Sequence, residues 1–249
     1  MIAELAPGFR LLTFQDADTG TELQYQRYIP TDYDENTAYP PVMFIPDSGA
    51  VGKGADAVLT QGWGGPIRAT ETEQTKHPAF VLVPVFTETI VEDNFNHSSQ
   101  IDVAIRLVQR FCETYSTDTN RICTTGQSMG GMTSFYPNTA CPDLFAASIF
   151  VGSQWDNSVL NVLEDRNFFC IVGAGDPKTS TGQTGLMEVF GADGAAYRHA
   201  ERSAQDDADT QNAAVAAMLA EGNNACFIAF AEGSTFTEGQ TATTAYDFV

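Results

Sequence analysis

The sequence predicts an α/β fold built on a mostly parallel central sheet, with antiparallel strands at its start and helices on both faces. Three observations point there. Short apolar runs bounded by Gly, Pro and Asp recur along the whole chain. Near-continuous runs of this kind mark strands covered on both faces, as in a parallel sheet. Longer amphipathic stretches separate them, which is the alternation that joins parallel strands through helical crossovers. The chain has 249 residues, with no internal repeat, low-complexity segment or interdomain linker, so residues 1–249 are read as one domain.

The elements follow in order. Residues 9–14 (FRLLTF) and 22–29 (ELQYQRYI) are two early strands joined by the turn DADTG. Residues 41–45 (PVMFI) and 80–86 (FVLVPVF) are buried strands, and 121–126, 145–152, 168–173 and 225–230 continue the series. The helix over 100–115 places Ile101, Ala104, Ile105, Val108 and Cys112 on one stripe. A second helix over 205–221 begins with acids, which suit a helix N-terminus, and ends before Gly222, a natural C-cap. Residues 129–136 and 182–190 form shorter helices.

Composition narrows the function classes. Hydrophobic residues make up 43% and charged residues 18%, the balance of a globular chain with a sizeable core. The formal net charge of -20 repels a nucleic-acid backbone and an anionic membrane surface, so neither is an expected partner. Uncharged or cationic ligands fit this field, and the acidity otherwise serves a solvated surface. No apolar run approaches the ~18 residues that span a bilayer. The start MIAELAPGFR lacks a basic stretch followed by an apolar one, so the expected location is cytoplasmic, or secreted after removal of a signal peptide. The five cysteines are odd in number and hold no CxxC pair, which argues against a disulfide framework or a metal cluster. Apolar settings such as NFFCIV and NACFIAF suit reduced core thiols and a reducing compartment. The three histidines are far apart in sequence and no cluster has zinc spacing, so no metal or dissociable cofactor is expected.

One motif carries chemistry. Gly126-Gln127-Ser128-Met129-Gly130 matches G-x-S-x-G, and Gly131 follows. The pattern alone is weak because small residues are common. Its setting is stronger: RICTTG reads as a strand and MGGMTSFY begins a helix, the strand–turn–helix context that raises a nucleophilic serine above a sheet. The N–H of Met129 then helps to bind an oxyanion. The alternative is an ordinary tight turn with an exposed serine. A second oxyanion donor is expected from the loop after the third strand, Pro46-Asp47-Ser48-Gly49-Ala50, with the Ser48 N–H as candidate and an Asp-Ser-Gly turn as the plain alternative. Asp176, in GAGDPK after a late strand, is the candidate acid that orients a histidine; a turn-forming Asp before Pro177 is its alternative.

With these residues in place the chain resembles bacterial esterases of the α/β-hydrolase superfamily related to polyhydroxybutyrate depolymerases and feruloyl esterases. The resemblance runs over nearly the whole length, through GFRLLTF, PVMFIPD, LTQGWGGPIRAT, DTNRICTTGQSMGGMTSFY, PDLFAASIFVGSQWD and AAMLAEGNNACFIAF. It implies an α/β-hydrolase fold, Ser128 as nucleophile, Asp176 as triad acid, Gln127 and Trp155 near the pocket, and small-molecule or carbohydrate-linked carboxylic esters as substrates. Two departures stand out. Pro46 occupies a position where relatives often carry His. Relatives also carry their triad histidine after the last strand, and here EGSTFTEGQTATTAYDFV holds none. The expected position lies between Gly239 and Ala245, and the chain stops where relatives have a final helix.

Only His77, His97 and His199 exist. His77 precedes a strand and is expected at the edge away from the elbow. His97 lies in a loop on the active-site side and reads as a helix-entry residue. His199 reads as a surface residue before a late helix. Two functions from different classes therefore compete: a serine esterase acting on short-chain or aryl and feruloyl-type esters, and a catalytically impaired hydrolase-fold protein that binds ligands. A peptidase is disfavoured because no propeller or cap domain is present to gate peptides.

Overall fold

The computed structural model describes residues 2–60 and 64–236. Nine strands run in chain order: β1 (Arg10–Gln15), β2 (Glu22–Tyr28), β3 (Pro41–Ile45), β4 (Phe80–Val85), β5 (Cys123–Gln127), β6 (Ala147–Val151), β7 (Asn167–Gly173), β8 (Tyr197–Arg202) and β9 (Ala225–Phe230). The helices are α1 (Ile2–Leu5), α2 (Ala57–Thr60), α3 (Gly64–Ile67), α4 (Glu71–Lys76), α5 (Gln100–Thr114), α6 (Met129–Ala140), α7 (Pro177–Asp193) and α8 (Ala208–Ala220). One sheet holds all the strands in the order β1-β2-β4-β3-β5-β6-β7-β9-β8. The pairs β1–β2 and β2–β4 are antiparallel, and every other pair is parallel. This is the predicted fold class. The parallel strands β3, β4, β5, β6, β7 and β9 therefore end on one edge, with Ile45 opposite Gly126, Gln127 opposite Val151 and Gly173 opposite Phe230.

Burial explains why the strands were legible. Every residue of β4 is buried, as its unbroken apolar run requires. The main core lies between the sheet and α5, α6 and α7. Phe135 of α6 stacks on Phe150 of β6 with ring centroids 3.8 Å apart, while Phe168, Phe190 and Phe227 meet edge to face. On α5 the buried stripe includes Ile101, Ala104, Ile105 and Val108 and widens to Val103, Leu107 and Phe111, with Cys112 only half-buried at its margin.

Three elements differ from the sequence reading. The edge strand β8 was not expected, because YRHAER carries charges where a buried strand carries apolar residues. Charged side chains are what an exposed edge needs to avoid pairing with another chain. The helix expected over 182–190 runs instead over Pro177–Asp193: Asp176 caps its start, Pro177 occupies its first turn, and Gly194 ends it in the left-handed region at φ 75°. Its interior TSTGQTG hides the helical period. Between β3 and β4, where the alternation of strands and helices implies a single crossover helix, there are three short ones, α2, α3 and α4.

Beyond the β2–β4 ladder, a buried carboxylate ties the antiparallel start to the body. Asp16 ends the β1–β2 hairpin and is only 2% exposed. It accepts two hydrogen bonds of 2.8 Å from the Arg106 guanidinium on α5 and one from the Thr19 hydroxyl. These donors, Arg106 foremost, hold its carboxyl well below the usual carboxylate range. A carboxyl with a lowered folded pKa stabilises the fold above its unfolded pKa of about 3.9 and loses that effect as pH falls through the folded value. Asp16→Asn is expected to melt earlier than the natural chain at neutral pH. The gap between the two should shrink as the pH drops below about 4. A constant gap across that range in thermal melts would show that the charge of Asp16 is not what stabilises the hairpin.

Candidate active site

The site is built on the turn between β5 and α6. Ser128 links them with φ 52° and ψ -125°, one of two non-glycine residues with positive φ among the described residues. This region of backbone space costs an L-residue about 1–3 kcal/mol and persists only where its surroundings impose it. Here the surroundings are backbone. The Ser128 N–H donates to the Val151 carbonyl at 2.9 Å, and its own carbonyl accepts the first turn of α6 from Met132 at 3.0 Å. A Cβ on Gly126 would lie 2.5 Å from Gly130, and one on Gly130 would lie 2.0 Å from the Ile45 carbonyl oxygen. A Cβ on Gly131 would lie 2.4 Å from the Ser153 hydroxyl. The small residues of the motif are thus required by helix, elbow and β3 closing on one another.

The candidate oxyanion donors adjoin this turn. Met129 is the first residue of α6, and Ser48 is the first residue of a 3-10 turn over Ser48–Ala50. An N–H at the first position of a helical turn has no partner within that turn. The loop reaches the elbow through Pro46, whose carbonyl oxygen would lie 2.7 Å from a Cβ on Gly130. Asp47 caps the turn by accepting from the Gly49 N–H at 2.5 Å.

Asp176 follows β7 on the same edge of the sheet. Its carboxylate accepts from the N–H groups of Lys178 (3.0 Å) and Thr179 (3.4 Å) and from the Thr179 hydroxyl (2.8 Å). It therefore caps α7, and the side chain is exposed. Strand β6 stands between β5 and β7, so the two strand ends are about 10 Å apart. The structure brings Ser128 and Asp176 to one edge without bringing them into direct hydrogen-bond contact.

Gln127 is half-buried, and its buried Nε2 has no hydrogen-bond partner among the described residues. Ser153, 1% exposed, has an equally unpartnered hydroxyl against the first turn of α6. Trp155, on the loop after β6, is buried with its ring 5.4 Å from Phe95 and 6.4 Å from Tyr136. The resemblance singled out Gln127 and Trp155 but not Ser153, Phe95 or Tyr136. Nothing in the spacing of these three marks them, because their meeting depends on loops from different strands.

None of the three histidines completes a triad among the described residues. His77 ends α4, just before β4, on the edge opposite Ser128. His199 lies on β8, four strand steps or about 19 Å from β5 in the sheet; it is a strand residue, exposed, rather than part of a helix approach. His97 is on the Ser128 side of the sheet, but its ring packs at a tilt of 38°, centroids 4.0 Å apart, on that of Tyr136, eight residues into α6 and about 12 Å along its axis. The segment between Gly239 and Ala245, where the base was expected, lies outside the described residues.

No family model matches the sequence, and no curated protein matches it. Solved structures do match in shape. A thermostable esterase superposes over 92% of this chain with a TM-score of 0.73 at 23% identity, and this chain spans 56% of its length. A mutant of the feruloyl esterase module from Clostridium thermocellum, complexed with sinapinate, superposes over 90% of this chain and 81% of its own with a TM-score of 0.59 at 15% identity. A ferulic acid esterase from Anaeromyces mucronatus in complex with ferulic acid covers 96% of this chain and 88% of its own with a TM-score of 0.55 at 16% identity. With the strand order and the strand–serine–helix turn, these likenesses define the α/β-hydrolase fold.

The close contacts of the elbow generate a contrast between two glycines. Gly130→Ala is expected to lower the unfolding free energy by about 1–3 kcal/mol, as overpacking does. Gly191→Ala, in α7 with open space around it, should raise stability by about 0.5–1 kcal/mol through helix propensity. Denaturant titrations of both variants read the difference. Equal effects would mean that the elbow relaxes freely.

Proposed function

We propose that this chain is a serine esterase that hydrolyses carboxylic esters of short-chain or aryl and feruloyl type through an acyl-enzyme on Ser128. The observation that carries the reading is the strained backbone of Ser128 between a parallel strand and the first turn of a helix. Strain of this kind marks functional positions, and a serine so held exposes its oxygen at the carboxyl edge of the sheet. In the proposed reaction Ser128 Oγ bonds to the ester carbonyl carbon. The N–H groups of Met129 and Ser48 receive the charge that develops on the carbonyl oxygen. The alcohol leaves with the proton released by the serine, and water then cleaves the acyl-serine to the free acid. Asp176, fixed by its hydrogen bonds to the first turn of α7, takes the role of triad acid. Gln127 and Trp155 border the pocket, and its neutral ester needs no cationic or nucleic-acid partner.

The placement of the histidines favours a second reading, a hydrolase-fold protein that binds esters or acids and turns them over poorly. A serine needs a base within hydrogen-bond reach, and a Ser-His-Asp site stripped of one member keeps only about 10³–10⁴-fold catalysis over water. Hydrolysis of p-nitrophenyl acetate by the natural chain, abolished in Ser128→Ala, is the expected outcome for the esterase. A rate unchanged in Ser128→Ala would remove Ser128 from the chemistry. A screen of acetyl, butyryl and feruloyl esters then ranks the substrates. Calorimetric binding of ferulate with no Ser128-dependent turnover would select the binding protein instead.

A further inference from the structure

The connection from β4 to α5, residues 86–99, does more than return the chain to its helix. Phe86, Ile90 and Val91 are buried in the main core. Beyond them the connection doubles back on itself. The Glu92 N–H donates to the Asn96 carbonyl at 2.9 Å, the Ser98 N–H donates to the Ile90 carbonyl at 2.8 Å, and an isolated bridge pairs Val91 with His97. The tip turns at Phe95, whose φ is 68°. Three contacts pin this tip to other elements. Asp93 forms an ion pair with Lys178 at the start of α7, Phe95 packs on Trp155 from the loop after β6, and His97 packs at a tilt on Tyr136 of α6.

Sheet order gives these contacts their meaning. Between β4 and β7 lie β3, β5 and β6. At about 4.8 Å per strand, the ion pair bridges roughly 19 Å along the carboxyl edge. Eight residues, 86–93, reach up to about 26–29 Å when extended, so the chain is long enough. A connection that starts at β4 and is tied at α7 crosses the lateral positions of β3, β5 and β6, on the side of the sheet where Ser128 stands. Lys178 adds a second sign that the tie is specific. It lies in the first turn of α7, where the helix macrodipole disfavours a cation; the capping Asp176 spends its carboxylate on the N–H groups and the Thr179 hydroxyl, and the Lys178 ammonium pairs across the gap with Asp93.

We infer that residues 86–99 form a strap across the approach to Ser128, latched by the Asp93–Lys178 pair, and that Phe95 at its tip determines the size of the ester group admitted. This inference rests on the esterase reading of Ser128. Both members of the latch are exposed, at 45% for Lys178 and 75% for Asp93, so it is weak and screened by salt. A positive φ at Phe95 likewise holds only while its contacts hold. The latched strap admits small esters and excludes bulky ones, and unlatching widens the entrance.

The test uses the full chain carrying Trp63→Phe, which leaves Trp155 as the only tryptophan. Lys178→Ala keeps the N–H that Asp176 accepts and removes an unfavourable cation from a helix start, so this variant should fold. It is expected to raise acrylamide quenching of Trp155 and to lower KM for 1-naphthyl butyrate by about threefold, the scale of one exposed ion pair. KM for p-nitrophenyl acetate should not move. The exchange Asp93→Lys with Lys178→Asp should restore both values. Unchanged quenching in Lys178→Ala, an equal change in KM for the two esters, or no restoration by the exchange would each overturn the strap. If no ester is turned over in a Ser128-dependent way, the esterase reading fails by itself. Quenching then decides the strap alone: an increase reversed by the exchange sustains it, and an unchanged value ends it.

Discussion

The contact between Gly130 and the end of β3 sets the geometry on which the site depends. With a would-be Cβ only 2.0 Å from the Ile45 carbonyl, α6 approaches the sheet more closely than any side chain permits. That approach forces the turn between β5 and α6 to be completed by a single residue, Ser128, in a region of backbone space that L-residues avoid. It also brings the carbonyls of Ile45 and Pro46, at the start of the loop that carries Ser48, against the first turn of the helix. The candidate nucleophile and the first turn of α6 are thus positioned by one backbone-to-backbone contact rather than by side-chain packing. Sites held this way are less sensitive to rotamer choice and more sensitive to the addition of a single methyl group.

The same face that carries the site also carries the largest part of the core. Phe135 on α6 stacks on Phe150 beneath it, and Met129 and Met132 join the same cluster. The helix that opens at Ser128 is therefore buried along nearly its whole length, including Thr133, Ser134 and Asn138. Its buried polar groups are satisfied inward: the Thr133 and Ser134 hydroxyls donate to the Met129 and Gly130 carbonyls at 2.7 and 2.9 Å. Against this background the unpartnered Gln127 Nε2 and Ser153 hydroxyl stand out, since both border the elbow rather than the interior of the core. Buried polar groups are normally paired, and an unpaired group at a site mouth has the chemistry to receive a ligand.

Most of the fold was legible because it is written in apolar runs. The boundaries of β3 and β9 agree residue for residue with PVMFI and ACFIAF, since central parallel strands must be apolar on both faces. The elbow was legible for a different reason: only small residues fit it, so its glycines appear as a pattern. What stayed hidden is structure that carries no such demand. Strand β8 has one neighbour and is largely solvated, so YRHAER alternates weakly and reads as surface. The first turn of α7 was hidden because Asp176-Pro177 is equally a turn signal and a cap followed by Pro at the first helical position. The strap could not be read at all. Asp93 and Lys178 are 85 residues apart, and no local pattern links an Asn-Phe-Asn tip to a tryptophan on another loop.

Asp176 shows how a structural role and a proposed chemical one constrain each other. Three donors from the start of α7 hold its carboxylate and fix its direction. A carboxylate engaged in this way cannot swing across the end of β6 to reach the serine without uncapping α7, and loss of a cap costs a helix about 1 kcal/mol. Nor would a direct approach help, because an ionised aspartate is too weak a base to activate a hydroxyl at neutral pH. Any base that bridged Ser128 and Asp176 would have to stand across the end of β6, which separates their strands. That requirement rules out His77 by the edge it occupies and His199 by its distance along the sheet. It leaves His97 only if its ring left Tyr136, a move that would also take the strap away from Trp155.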